Sequence, residues 1–289
     1  MTDGPILTGP MEAEIERVRS SGLLTYRSEA LPTWCPGCGY FGITHGITMA
    51  MNALSIENHQ LVVVTGIGCA GRYPFFINGY GFHTIHGRAL PVACGVKAAN
   101  PDLSVVVISG DGDALAIGGG HLPHAIRRNV DLTFILFDNG IYGLTKGQTS
   151  PTTPQGQRTG THPYGNPDAP LNPTLLALAY GASFVARAWA GEPEGVSDMV
   201  QRAFAHRGFS FVHVVSPCVT FDPVNITYDR LRDIWSSIPD GHDASDMSAA
   251  MMLAMREAFV TGVFFDVDRP TFDSVTNETT TRAVATRRS

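Results

Sequence analysis

Residues 34–40 read WCPGCGY, so Cys35 and Cys38 flank a Pro-Gly turn that brings two thiols close together. Thiols at this spacing can ligate zinc, form a redox disulfide or hold an iron-sulfur cluster. Cys69, Cys94 and Cys218 bring the total to five. An odd count in a chain of 289 residues speaks against a disulfide framework and leaves metal or redox chemistry.

Two glycine-rich turns add further candidates. GIGCAG (Gly66, Gly68, Gly71) follows an apolar run and matches GxGxxG, the pattern of a dinucleotide-binding turn. That fingerprint needs an acid about 20 residues on for the ribose hydroxyls. No Asp or Glu occurs between Glu57 and Asp102, so the dinucleotide reading is set aside. The same window holds Arg72, His83, His86, Arg88 and Lys97. This locally positive stretch suits an anionic ligand, unless its side chains are solvated or meet a partner's acids.

The second turn, Gly110-Asp111-Gly112-Asp113, closes the run VVVIS, and a helix is predicted just after it. Backbone N–H groups there can face a phosphate while Asp111 points into the same space. The next apolar run ends in Asp138-Asn139-Gly140. Adjacent parallel strands would deliver Asp111 and Asn139 to one edge, both hard oxygen donors suited to magnesium on a diphosphate. The plainer alternative is that Asp111 caps a helix and Asn139 makes a turn.

The elements that must position these residues alternate along the chain. FGITHGITMAMNAL is predicted as a helix, LVVVTGIG as a buried strand, GRALPVACGVKAAN as a helix, LSVVVISGDGDA as a strand, LAIGGGHLPHAIRRN as a helix and DLTFILFDN as a strand. LLALAYGA (helix), FVARAW (strand), a helix near 194–207 and the strand FSFVHVVSPC continue the alternation. Apolar runs bounded by Gly turns and separated by helices indicate an α/β fold, a parallel sheet with helices on both faces. Residues 146–173, dense in Gly, Pro, Thr and Gln, form a long loop too polar for a core element; loops of this length tend to be functional or disordered.

Residues 1–30 read as a polar lead-in with one short amphipathic helix, and 31–230 as the main domain. Residues 231–289 read as an extension that contacts another subunit. It holds a Met-rich helix near 245–258, the segment GVFFDVDRPTF and the tail TNETTTRAVATRRS, expected to be mobile.

A net charge of −6 argues against nucleic acid or an anionic membrane surface as the main partner. No stretch approaches the roughly 18 apolar residues of a membrane span. The N-terminus offers no apolar signal segment, so the cytoplasm is the expected compartment.

The combination of WCPGCG, GIGC, HGRALPVACG, GDG, an Asn-ended strand and YGLTKGQTSPTT resembles the beta subunit of the 2-oxoacid:ferredoxin oxidoreductases, closest to the 2-oxoglutarate type. The resemblance covers about residues 31–230 and extends more weakly into GVFFDVDRPTF. It implies the diphosphate-binding domain of a thiamine diphosphate fold, with magnesium (Mg2+) held by Asp111, Asn139 and the backbone carbonyl of Ile141. Further cofactor contacts would fall on Gly66, Ile67, Gly68, His86, Gly110, Gly112, Asp113, Leu144 and Thr145.

The resemblance also assigns one 4Fe-4S cluster to Cys35, Cys38, Cys69 and Cys218. The predicted elements single out the same four, since Cys69 and Cys218 each end a strand on the edge that carries Asp111. Cys94 falls inside a small-residue helix and packs as a small hydrophobe. Four thiolates also suit tetrahedral zinc, which would make the chain a non-catalytic zinc-binding scaffold; the resemblance favours iron and sulfur.

The implied activity is reversible oxidative decarboxylation of a 2-oxoacid to an acyl-coenzyme A and carbon dioxide, with electrons passing singly through the cluster to ferredoxin. Arg72 would meet the substrate carboxylate, Lys146 the distal carboxylate of 2-oxoglutarate, and His86 the cofactor or substrate. A solvated loop lysine and a structural histidine are the alternatives. An enzyme for pyruvate or another 2-oxoacid of the same class would not need Lys146. The family's aminopyrimidine glutamate has no motif here, so an alpha subunit must supply it together with coenzyme A binding, in a dimer of alpha-beta heterodimers. No CxxCxxCxxxC run is present for further clusters.

Overall fold

In β1 (Leu61–Thr65), Val62 and Val64 face one way, Leu61 and Val63 face the other, and all four are buried. The same division holds in β3 (Ser104–Gly110), β4 (Leu132–Asp138) and β8 (Phe209–Val215), where Val105, Phe134 and Phe211 oppose Val106, Ile135 and Val212. Strands covered on both faces must be apolar throughout, which is why these segments stand out as unbroken runs. The computed structural model describes residues 26–256 and 259–287. Residues 1–25, where the amphipathic lead-in helix is expected, lie outside the described residues.

One face of the sheet carries α1 (Tyr40–Ala53) and α5 (Pro193–Ala205). Ile43, Ile47 and Met51 recur along one side of α1 and are buried, each contributing about 1.5–3 kcal/mol. A Cβ on Gly46 would lie 2.6 Å from the Pro193 carbonyl oxygen, so glycine lets the two helices close together. The other face carries α2 (Ala89–Ala99), α3 (Leu122–Arg127), α4 (Pro173–Ala179) and α6 (Met247–Ala254).

The sheet has eight strands in the order β2 (Tyr80–His83), β1, β3, β4, β8, β7 (Phe184–Trp189), β10 (Phe259–Asp266) and β9 (Trp235–Ser237). From β2 to β7 every neighbouring pair is parallel, as expected. The segment GVFFDVDRPTF departs from that pattern: its first part, Gly262–Asp266, completes β10, which pairs antiparallel with β7 and makes the sheet mixed at this edge.

One further expectation needs correction. The helix predicted over LAIGGGHLPHAIRRN is broken into a π turn (Asp113–Ile117), a 3-10 turn (Gly119–His121) and the short α3. A Cβ on Gly118 would lie 2.5 Å from the Asp113 carbonyl oxygen, and three consecutive glycines support no regular helix. The loop after Lys146 is internally bonded: β5 (Ile141–Tyr142) pairs with β6 (Gln148–Thr149), and buried Asn166 donates to the Thr153 carbonyl (3.0 Å) and accepts from Gly156 N (2.8 Å) through its own carbonyl. The C-terminal segment forms α7 (Phe272–Arg287), largely exposed beyond its first turn. Among the described residues no helix is long and apolar enough to cross a membrane.

Candidate functional site

The carboxyl ends of β1, β3, β4 and β8, neighbours in the sheet, carry the residues singled out by their chemistry. β1 runs into Gly66, Ile67 and a single helical turn at Gly68–Gly71; β3 ends before Asp111, β4 before Asn139, and β8 shortly before Cys218. A four-residue turn is too short to present a pyrophosphate-binding helix, in keeping with setting the dinucleotide reading aside.

A cleft opens over this edge. Ile67, Gly68, Gly110, Asp111, Gly112, Asp113, Asn139, Ile141, Leu144 and Thr145 all line it. Asp111 is 2% exposed, and Thr152 Oγ1 lies 2.7 Å from its Oδ2. Burial, and then the charge of Asp138, hold the Asp111 carboxyl well above the usual carboxylate range, while the Ser150 and Thr152 hydroxyls offset part of that. A buried oxygen donor of this kind fits a divalent cation, whose charge would restore the ionised form. Asn139 folds its Oδ1 onto Ile141 N (3.2 Å), which fixes both residues at the cleft wall.

Gly66 and His86 sit behind that wall, and Asp113 explains why. Its oxygens accept from Ser109 Oγ (2.6 Å), Gly87 N (2.7 Å) and Ile67 N (3.3 Å), and His86 Nδ1 lies 2.8 Å away. A Cβ on Gly66 would lie 1.8 Å from Asp113 Oδ2. Asp113 therefore ties the GIGC turn to the IHGR segment, with His86 as one of the groups it holds. His86 also meets the Tyr142 ring edge-on, and Tyr142 donates from its hydroxyl to the Gly112 carbonyl (2.8 Å).

The thiols gather around an adjoining pocket. Cys35, Cys38, Cys69 and Cys218 line it, together with Arg72 and Lys146. Gly37 turns the CPGC segment at φ +79, and Cys38 N donates to the Cys35 carbonyl (3.0 Å). Trp34 donates from Nε1 to the Cys69 carbonyl (2.8 Å), pinning the two cysteine segments together. Burial pushes the Cys38 thiol up to about 12 and, with the neighbouring Cys218, Cys69 to about 11; Arg72 partly offsets the latter. Among the described residues no three His, Cys, Asp or Glu side chains gather tightly enough for a single metal ion. The thiols instead surround a space. Gly143 backs two of them, since a Cβ there would lie in ordinary contact, 3.6 Å, with the Sγ of both Cys69 and Cys218. Cys94 stands apart on α2, half-buried against the core.

The cleft and the thiol pocket share Cys69, Asn139, Gly143 and Leu144. Arg72 donates to Thr33 Oγ1 (3.0 Å) at the pocket rim. Lys146 is exposed and takes the left-handed backbone at φ +78, a strained conformation for a non-glycine residue. Among the described residues no carboxylate pairs with either cation.

Beneath the cleft lies a buried network that leaves no local mark in the sequence. Thr152 Oγ1 also lies 2.7 Å from Asp138 Oδ1, and Asp138 Oδ2 lies 2.8 Å from His213 Nε2. His213 Nδ1 is 3.1 Å from Thr174 Oγ1, which accepts from Arg187 Nε (3.1 Å). The segments QTSPTT and DNG were visible as motifs, but nothing local indicated that His213, 75 positions from Asp138, would meet it.

Residues 58–214 match the family described as the thiamine pyrophosphate enzyme C-terminal TPP-binding domain, and residues 218–281 match the C-terminal segment of pyruvate ferredoxin oxidoreductase beta subunits. The chain is 46% identical over 201 residues to the 2-oxoacid:ferredoxin oxidoreductase 2 beta subunit of Aeropyrum pernix, covering 70% of this chain and 65% of that one. It is 44% identical over 207 residues to the 2-oxoglutarate oxidoreductase subunit KorB of Mycobacterium tuberculosis, covering 72% of this chain and 55% of that one. The match to the 2-oxoglutarate synthase subunit KorB of Methanocaldococcus jannaschii, at 38% identity, covers 85% of this chain and 92% of the relative. Among solved structures, 2-oxoglutarate:ferredoxin oxidoreductase from Magnetococcus marinus, with 2-oxoglutarate, coenzyme A and succinyl-CoA bound, superposes with a TM-score of 0.89 at 46% identity, over 90% of each chain.

Proposed function

The chain belongs to the beta subunits of the 2-oxoacid:ferredoxin oxidoreductases, and from that premise we propose that it carries the diphosphate site and the electron-accepting cluster of a 2-oxoglutarate-oxidising enzyme. The observation that carries the reading is the wall shared by the cleft and the thiol pocket. Asp111, Asn139 and the Ile141 carbonyl would hold Mg2+ on the diphosphate of thiamine diphosphate, and Cys35, Cys38, Cys69 and Cys218 a 4Fe-4S cluster. When bound, thiamine diphosphate supplies the nucleophilic carbon for a 2-oxo group and the cluster takes up single electrons, so adjacency of the two sites serves electron transfer.

Arg72 at the rim of the thiol pocket and the exposed Lys146 present two cations beside the cluster site, which suits a substrate with two carboxylates and supports 2-oxoglutarate over pyruvate. Coenzyme A, ferredoxin and an alpha subunit complete the reading. Phe75, Tyr80, Phe82 and Ile85 expose apolar surface along the open edge strand β2 and its flanks, in keeping with a subunit contact there. Residues 31–230 would form the catalytic part and 231–289 a further contact for the assembly. The test is an anaerobic assay of the chain purified with its alpha subunit. Coenzyme A-dependent reduction of ferredoxin or a viologen with 2-oxoglutarate, at several times the pyruvate rate, is expected; no reduction with any 2-oxoacid would overturn the reading.

A further inference from the structure

Thr152 poses a problem of proton inventory. Its hydroxyl carries one hydrogen, yet Oγ1 lies 2.7 Å from two buried carboxylates, Asp111 Oδ2 and Asp138 Oδ1. It can donate to only one carboxylate at a time. Which one decides whether Asp111 enters the cleft with a fixed orientation and a satisfied inner oxygen, or faces a lone pair.

The rest of the network has a direction. Arg187 is 7% exposed, stacked over Phe259 and Phe264, and has no carboxylate partner among the described residues. A guanidinium only donates, so Arg187 Nε–H points at Thr174 Oγ1. The Thr174 hydroxyl hydrogen is then free for His213 Nδ1. His213, 4% exposed, is kept neutral by burial, and with Nδ1 accepting, its Nε2–H donates to Asp138 Oδ2. Gly140 N–H donates to Asp138 Oδ1 (3.1 Å). Asp138 thus has a donor on each oxygen without Thr152.

We infer that Arg187, Thr174 and His213 act as a positioning chain that satisfies Asp138 and so leaves the Thr152 hydroxyl hydrogen for Asp111, orienting that carboxylate toward a metal ion in the cleft. The inference rests on the reading of Asp111 as a metal-binding residue. No member of the chain beyond Thr152 touches Asp111, and none lines the cleft. Their effect on the metal passes through one hydrogen bond.

The test measures Mn2+ affinity, with thiamine diphosphate present, by electron paramagnetic resonance of free Mn2+ on the full chain co-purified with its alpha subunit. His213→Leu removes the donor to Asp138, whereas His213→Gln offers an amide N–H with a reach close to that of Nε2. Thr152→Val and Thr152→Ser form a second pair that removes and restores the hydroxyl. The leucine and valine variants should weaken Mn2+ binding by about 10- to 100-fold, the range for groups that orient metal ligands. The glutamine and serine variants should recover most of that loss. Circular dichroism establishes that each variant is folded, and should His213→Leu fail to fold, the Thr152 pair decides. Equal affinity in His213→Leu and wild type, or equal losses in the leucine and glutamine variants, would overturn the positioning chain while leaving the metal site standing. Failure of the wild type itself to bind Mn2+ with thiamine diphosphate would overturn the metal-site reading and the chain with it.

Discussion

Two buried histidines in this molecule each bridge a hydroxyl and an aspartate, at opposite edges of one sheet. His213 links Thr174 to Asp138 at the carboxyl end of β4. His206 links Ser183 (2.8 Å) to Asp266 (3.0 Å) at the amino end of β7. The second group has the side-chain order of a hydrolase triad, but it lacks the surroundings. Ser183 is fully buried and donates to Asn129 Oδ1 (2.7 Å), and Asn129 also accepts from Phe209 N and donates to the Arg269 carbonyl. That knot ties β7, β8 and the segment after β10 together and leaves no room for a reacting atom. The His213 group ends on Thr152 and Asp111, and Asp111 opens on a cleft. A hydroxyl, a histidine and an aspartate therefore close a structural knot at one edge and back an open cleft at the other, and access makes the difference.

Substitutions sharpen that contrast, beginning with the largest expected effect. Asp111→Asn should reduce Mn2+ and thiamine diphosphate binding by more than about 100-fold, as loss of a charged metal ligand implies, measured by titration calorimetry. Lys146→Ala should cut kcat/KM for 2-oxoglutarate by about 10- to 100-fold relative to pyruvate, the equivalent of one charge-assisted hydrogen bond, with iron content unchanged. An unaltered preference in that variant would remove the support for a dicarboxylate substrate.

Gly66→Ala forces a methyl onto Asp113 and should destabilise the fold by about 1–3 kcal/mol in denaturant unfolding. The pH dependence separates the networks further. Burial lowers the His213 pKa, so below about 6.5 the unfolded chain binds more protons than the folded one. Stability should then fall as pH drops, at up to about 1.4 kcal/mol per pH unit, and His213→Gln should flatten that slope. Ser183→Ala, confined to stability, should cost about 1–3 kcal/mol and leave cofactor binding unchanged.

The strands that position the site were legible because each is buried on both faces and reads as one apolar run. Asp111, Asn139, Cys69 and Cys218 were legible because they lie at or just past strand ends, where chain order and spatial order coincide. β2 was not: YGFH is an exposed edge strand without an apolar run. Nor was the break at Gly118, where a backbone approach from Gly87 replaces the expected helix. Thr152 and His213 escaped for a third reason. Their partners lie 41 and 75 positions away, and a hydrogen bond across the sheet leaves no period in the sequence.

In one chain, a thiol pocket and a cleft that holds Asp111 lie on either side of a shared wall. Whether they hold a cluster and a diphosphate is decided by assaying iron, acid-labile sulfide, zinc and thiamine diphosphate per heterodimer, in protein purified anaerobically with its alpha subunit. About four irons and four sulfides with one thiamine diphosphate are predicted, as one cubane on four thiolates requires, with the iron lost in Cys69→Ser and retained in Cys94→Ser. Zinc in place of iron, with no thiamine diphosphate, would contradict the account.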